Sequence, residues 1–132
     1  MKITYRTDLK PNVTEIIELY KSSGINRPVQ DASRIASMYT HSNLVITAWA
    51  GSKLVGISRS LTDFCYCCYL SDLAVMKEYQ KSGIGRQLIS LTRERIGAKT
   101  TLILLSAPAA TDYYPKVGFE KVENGFMIKR TK

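Results

Sequence analysis

The chain has 132 residues, 45% hydrophobic and 23% charged, proportions ordinary for one globular domain. Nineteen Lys and Arg against eleven Asp and Glu leave a formal charge of +8, which favours anionic partners without choosing among nucleic acid, acidic lipid and a phosphorylated small molecule. No apolar run approaches the ~20 residues that cross a bilayer, and the polar start MKITYRTDLK is unlike a secretory signal, so a cytoplasmic protein with no membrane partner is expected.

In chain order, KITYR (2–6) predicts a short first strand. Asn12 followed by Glu15 has the spacing of a capping box, and Val13, Ile16, Ile17 and Tyr20 mark one helical face up to Gly24. Asp31 opens a second, weaker helix carrying Ile35, Met38 and Tyr39. NLVITAWA (43–50) and KLVGISRSL (53–61) flank Gly51-Ser52 and read as a hairpin. FCYCCYLSDLAVM (64–76) predicts a long central strand. Its three cysteines, Cys65, Cys67 and Cys68, fit neither a disulfide framework nor a zinc pattern, since the one histidine, His41, is remote; they read as small buried thiols, with no metal. Trp49 and Tyr66 read as core or sheet-face aromatics, and His41 as a solvated helix end.

Ile84, Leu88 and Leu91 share one face of a helix running from Gly83 to Ile96. TLILLS (101–106) is continuously apolar, as in a strand covered on both faces. A helical turn near 109–117, capped by Asp112, then leads through Gly118 to a closing strand pair near 119–122 and 126–130. A hairpin-rich first half joined to a βαβ crossover implies one α/β domain over 1–132. Its sheet is mixed but mostly antiparallel, with six to seven strands and about four flanking helices.

The stretch QKSGIGRQL (80–88) places two glycines at the start of a helix. A phosphate-binding P-loop fails because Arg86 and Gln87 follow Gly85, and a dinucleotide fingerprint fails because Leu88 stands where the third glycine belongs. What is left is Q-x-x-G-x-G. Unpaired N–H groups at a helix start suit a pyrophosphate, with Gln80, Lys81 and Arg86 adding donors or charge. On these residues alone, a glycine turn leading into a basic-capped helix fits equally well.

The wider context distinguishes them. Val75, Tyr79, Gln80, Gly83 and Gly85 match the V-x-x-x-[YF]-[RQ]-x-x-G-x-G pattern of the GNAT superfamily of acyl-CoA-dependent N-acetyltransferases. Tyr113, Tyr114, Gly118 and Phe119 match its later [FY]-Y-x-x-x-G-F pattern, one helix and one strand downstream. The chain resembles that family over residues 69–122, with a similar hairpin upstream.

The resemblance implies a central strand that splays from its neighbour to admit acetyl-CoA. Leu73, Ala74 and Val75 would offer main-chain groups to the pantetheine arm, and Gln80, Lys81, Ser82, Gly83, Ile84, Gly85 and Arg86 would cradle the pyrophosphate. Tyr114 occupies the position of the proton donor to the leaving thiolate. The position of a general base falls to Tyr69 or Ser71, neither basic at neutral pH; Tyr69, Ser71 and Leu73 should share one face and Asp72 the other, unless a bulge re-aims it. Water leading to Asp72 or to a backbone carbonyl, or an acceptor already partly deprotonated, would then serve. Direct transfer fits better than a covalent route through Cys65 or Cys67.

Arg27-Pro28 is either substrate-facing or loop punctuation. The implied acceptor is a small-molecule or peptide amine of unidentified kind, and a homodimer is common among such proteins. Two other readings stand beside this one: a silent module that senses CoA or acetyl-CoA, and a nucleic-acid binder. The latter lacks any recognised motif or basic-aromatic run, so no nucleic-acid partner is expected.

Overall fold

The computed structural model describes residues 2–132. Asn12 and Glu15 close the capping box in both directions, starting α1 (Val13–Ser23), and Gly24 ends it in the left-handed region. Besides Ile16 and Tyr20, Leu19 is fully buried, a position the expected stripe omitted. The Asp31 carboxylate accepts from the Arg34 N–H and begins α2 (Ala32–Thr40). Strands β1 (Thr4–Arg6), β2 (Leu44–Ala50), β3 (Lys53–Thr62), β4 (Cys67–Val75) and β5 (Thr101–Ile103) form one sheet in sequence order. The first four run antiparallel, and α3 (Ile84–Ile96) makes the crossover to the parallel β5.

β2 and β3 are buried almost throughout because helices cover both faces of the sheet. Residues directly opposite on neighbouring strands point the same way. Arg59 lies opposite Asp72 and both meet α1 and α2 side chains, whereas Gly56 and Ser58 meet α3. A Cβ at Gly56 would stand 2.9 Å from the Ile84 side chain, so the missing side chain lets α3 seat closely on β3.

The last third differs from expectation. β5 stops at Ile103 rather than Ser106, and its burial is partial, not two-sided. Among the described residues the sheet has five strands, not six or seven, because 119–122 and 126–130 form no closing pair. Most of their apolar side chains are therefore left in the open: Phe126 and Ile128 are 100% exposed. A short α4 (Tyr113–Lys116) precedes them. Asp112 stands at its N-cap position without making a side-chain cap bond.

β4 also starts later than the sequence pattern implies. Residues 63–66 form a turn in which Asp63 Oδ1 accepts from the N–H groups of Cys65, Tyr66 and Cys67. Those three bonds hold its carboxyl far below the ordinary range. The turn places Cys65, Tyr66 and Cys67 outside the core; only Cys68 is a buried thiol.

Candidate active-site cleft

β4 carries the cleft. Its pairing with β5 covers Cys67 to Tyr69 and then ends, while β4 continues to Val75. Beyond Tyr69 that edge has no strand partner among the described residues. The Met76 N–H donates to the Val55 carbonyl, and antiparallel hydrogen-bonded pairs recur at every second residue. Ala74 and Asp72 therefore pair towards β3, and Leu73 and Val75 turn their main chains to the open edge. Ala74, expected to face the gap, does not. The Val75 carbonyl accepts from Gln80 Nε2 at 2.8 Å, leaving Leu73 as the central main-chain site on the gap.

At the Val75 end lies the glycine turn. Lys81 and Gly83 hold φ of +66° and +90°, and the latter favours a residue without Cβ. Space beside Gly83 is open, no side chain caps α3, and the first helical bond runs from the Gln87 N–H to the Gly83 carbonyl. The N–H groups preceding it point outward from the helix start. Ser82 Oγ donates to the Tyr79 carbonyl, and Arg86 reaches towards the Lys116 carbonyl at 3.5 Å. Ile84 contributes a buried side chain to the core, so only its main chain is available. Gly85 has a different role from Gly83. A Cβ there would stand 2.9 Å from Tyr113 Oη, so Gly85 makes room for that phenol.

Tyr113 packs edge-on to Tyr114 at 5.2 Å between centroids, and Tyr114 packs edge-on to Phe119 at 5.5 Å. This aromatic row links the second motif to the start of α3. Burial raises the Tyr114 phenol above its ordinary value, Tyr113 adds to the rise, and the Arg27 charge partly opposes it.

The other end of the cleft is an ion network. The register of β3 on β4 shifts after Arg59, leaving Ser71 as an extra residue. This bulge puts Ser71 on the Asp72 side, where Ser71 Oγ donates to Asp72 Oδ1 at 3.1 Å and accepts from Arg59 Nη2 at 2.8 Å. Leu73, expected to share the Ser71 face, lies opposite Ser58 and points towards α3. Fully buried Asp72 accepts from Arg27 Nε at 2.7 Å and Arg59 Nε at 2.9 Å. It also accepts from the Tyr20 hydroxyl at 2.5 Å. Because that hydroxyl gives its one proton to Asp72, the adjoining Tyr39 hydroxyl must donate to Tyr20.

Burial alone would raise the Asp72 carboxyl. The Arg59 hydrogen bonds and charge, with Tyr20 and Arg27, hold it below its ordinary value instead. Burial drives both phenols upward, so Tyr20 and Tyr39 stay neutral. Sequence reasoning singled out Asp72 and Arg27 without pairing them, and missed Arg59, Tyr20 and, behind Tyr20, Tyr39. Their signal, polar groups on side chains of otherwise buried elements, is visible only once those elements meet.

Two surface depressions of about 330 and 270 Å³ lie elsewhere, by Thr7–Lys10 and by Glu15–Glu18, and hold none of these residues. Among the described residues no cluster of metal-ligating side chains occurs, and no helix is long and apolar enough to cross a membrane.

Comparison with known proteins places this geometry. A GNAT family acetyltransferase from Streptococcus pneumoniae superposes with a TM-score of 0.78 at 20% identity, covering 99% of this chain and 100% of its own. An aminoglycoside N-acetyltransferase in complex with CoA gives 0.73 at 16% identity, covering 99% and 96%. An uncharacterised N-acetyltransferase from Pyropia yezoensis is 26% identical over 121 residues, 86% of this chain and 68% of the relative. The model of the acetyltransferase (GNAT) domain matches residues 19–129, most of the chain and both motifs. The chain belongs to the GNAT acetyltransferase family.

Proposed function

We propose that the protein moves the acetyl group of acetyl-CoA directly onto a primary amine, with Tyr114 as the general acid. One observation carries this reading: the open edge of β4, centred on Leu73, runs into the uncapped start of α3. An extended amide-bearing arm fits the first, and a diphosphate fits the second. CoA in the complex of the structurally similar aminoglycoside N-acetyltransferase supports the choice of ligand. Bound there, acetyl-CoA supplies the activated acetyl group. Leu73 and Val75 would align its arm, and the amides from Gly83 to Arg86 would hold its diphosphate, with Lys81, Ser82 and Arg86 adjoining. Gln80 serves by holding the Val75 carbonyl.

The half-buried Tyr114 phenol keeps its proton at neutral pH and can give it to the leaving sulfur. Asp72 is engaged through both oxygens, so its part is to position Arg27 and Arg59 rather than to take the amine proton. Ser71 belongs to the same positioning network. Two guanidinium groups against one carboxylate leave this end of the cleft net positive, which favours an acceptor amine in its neutral form. The proton then leaves to water.

The same reading includes a cytoplasmic enzyme and a homodimer, in which a second copy covers apolar surface at Ile103, Val122, Phe126 and Ile128.

A thiol-release assay with acetyl-CoA and an amine panel tests the activity; release above the hydrolytic background is expected. One observation favours a second reading, a silent CoA sensor: Asp72, the carboxylate at the acceptor end, has both oxygens engaged by arginines. Thermal stabilisation by CoA without thiol release from any amine would establish that reading instead.

A further inference from the structure

The two ends of the open β4 edge differ in what they present, and the difference bears on the acceptor. The diphosphate end is at Gly83, so the reacting end of the bound arm lies towards Ser71. There the cleft is flanked by two guanidinium groups that share one carboxylate. Arg59 is almost enclosed, its side chain 9% exposed, with bonds to Asp72, Ser71 and Ser42. Arg27 is different: its side chain is 27% exposed. It is also held rigidly. Nε donates to Asp72, Nη2 to the Ser71 carbonyl and Nη1 to the Asn26 carbonyl, each at 2.7 Å.

A guanidinium has five N–H donors, so two on Arg27 are left without a protein acceptor among the described residues. Asp72 is the only carboxylate paired with either arginine among those residues, so one positive charge at this end is uncompensated. Such a group is a fixed fork on a half-open wall. Its ordering has already been achieved by the protein, and it matches paired anionic oxygens in geometry and charge.

Building on the acetyl-transfer reading, we propose that the acceptor is a small amine bearing an anionic group, a carboxylate or a phosphate monoester, which docks on Arg27. A polycationic amine meets like charge there and is disfavoured. A neutral amine lacks the contact.

The test compares kcat/KM for matched acceptors with wild-type protein at low ionic strength: an amino acid against its carboxamide, an amino sugar against its phosphate monoester, and spermidine. At least about a tenfold preference for an anionic member of a pair is expected, carried mainly by KM, with spermidine poorest. Preference in the first pair identifies a carboxylate, and in the second a phosphate. Thiol release that ignores the anionic group, or that is fastest with spermidine, overturns the inference and leaves acetyl transfer standing. No release from any acceptor overturns both.

Arg27→Gln and Arg27→Lys then assign the residue. The Gln variant should erase the preference ratio, and the Lys variant should restore part of it, because a point charge without the fork attracts the anion less directionally. A ratio unchanged in both variants overturns the assignment to Arg27. If the Gln variant does not fold, the Lys variant decides: an undiminished ratio overturns the role of the fork, and a reduced one supports it.

Discussion

The two ends of the β4 edge show contrasting ways to make a binding site. At Gly83 the groups offered are main-chain amides, exposed and aligned by a turn with positive φ; side-chain identity matters little beyond the absence of Cβ. At Asp72 the groups are chiefly side chains: four residues, from α1, the following loop, β3 and β4, converge on one buried carboxylate. The first is local and tolerant of neighbours. The second is non-local and intolerant, because each member left behind by a deletion becomes a buried unpaired group.

The sharpest way to break this contrast is at its non-local end. Asp72→Asn leaves Arg27 and Arg59 without their countercharge and should cost about 3–5 kcal/mol of stability in denaturant titrations. A loss below ~1 kcal/mol would mean that the network is not coupled. The same residue sets an acid limb. Its folded value lies below the unfolded value of about 3.9, so its stabilisation is complete above that pH and fades as pH falls through the lower folded value. Removing the carboxylate should flatten that limb in a stability-versus-pH series.

Tyr114→Phe comes next: about a hundredfold lower kcat, with CoA-induced thermal stabilisation nearly intact. Unchanged turnover between about pH 6 and 9 would remove Tyr114 from the chemistry. At the main-chain end, Gly83→Ala forces a Cβ into the left-handed region. It should lower stability by about 1–2 kcal/mol and shrink the thermal shift produced by CoA. An unaltered shift would place the diphosphate elsewhere. The smallest effect belongs to Gln80→Ala, which frees the Val75 carbonyl. It should cost about 0.5–1.5 kcal/mol and leave kcat nearly unaltered, measured by the same titration and by thiol release.

The first four strands, the three long helices and both motif positions were legible from sequence because each rests on short-range pattern: a capping box at Asn12, a two-residue turn at Gly51, apolar spacing along α3. The closing pair was misread for the same reason. Residues 119–122 and 126–130 have strand-like composition, but a strand forms only where an edge receives it, and the last third is left largely exposed. Cys65 and Cys67 were placed inside by composition and are exposed by the turn that Asp63 organises.

From sequence alone came the family and the location of the glycine turn, since main-chain recognition depends on residues adjacent in the chain. Only tertiary structure decided what Asp72 does. A one-residue bulge brought Ser71 to its side, and partners up to 52 positions away occupied both of its oxygens. A carboxylate read as a candidate base thereby became the anchor of two arginines, because protonation and hydrogen bonding depend on neighbours in space, which the order of residues does not record.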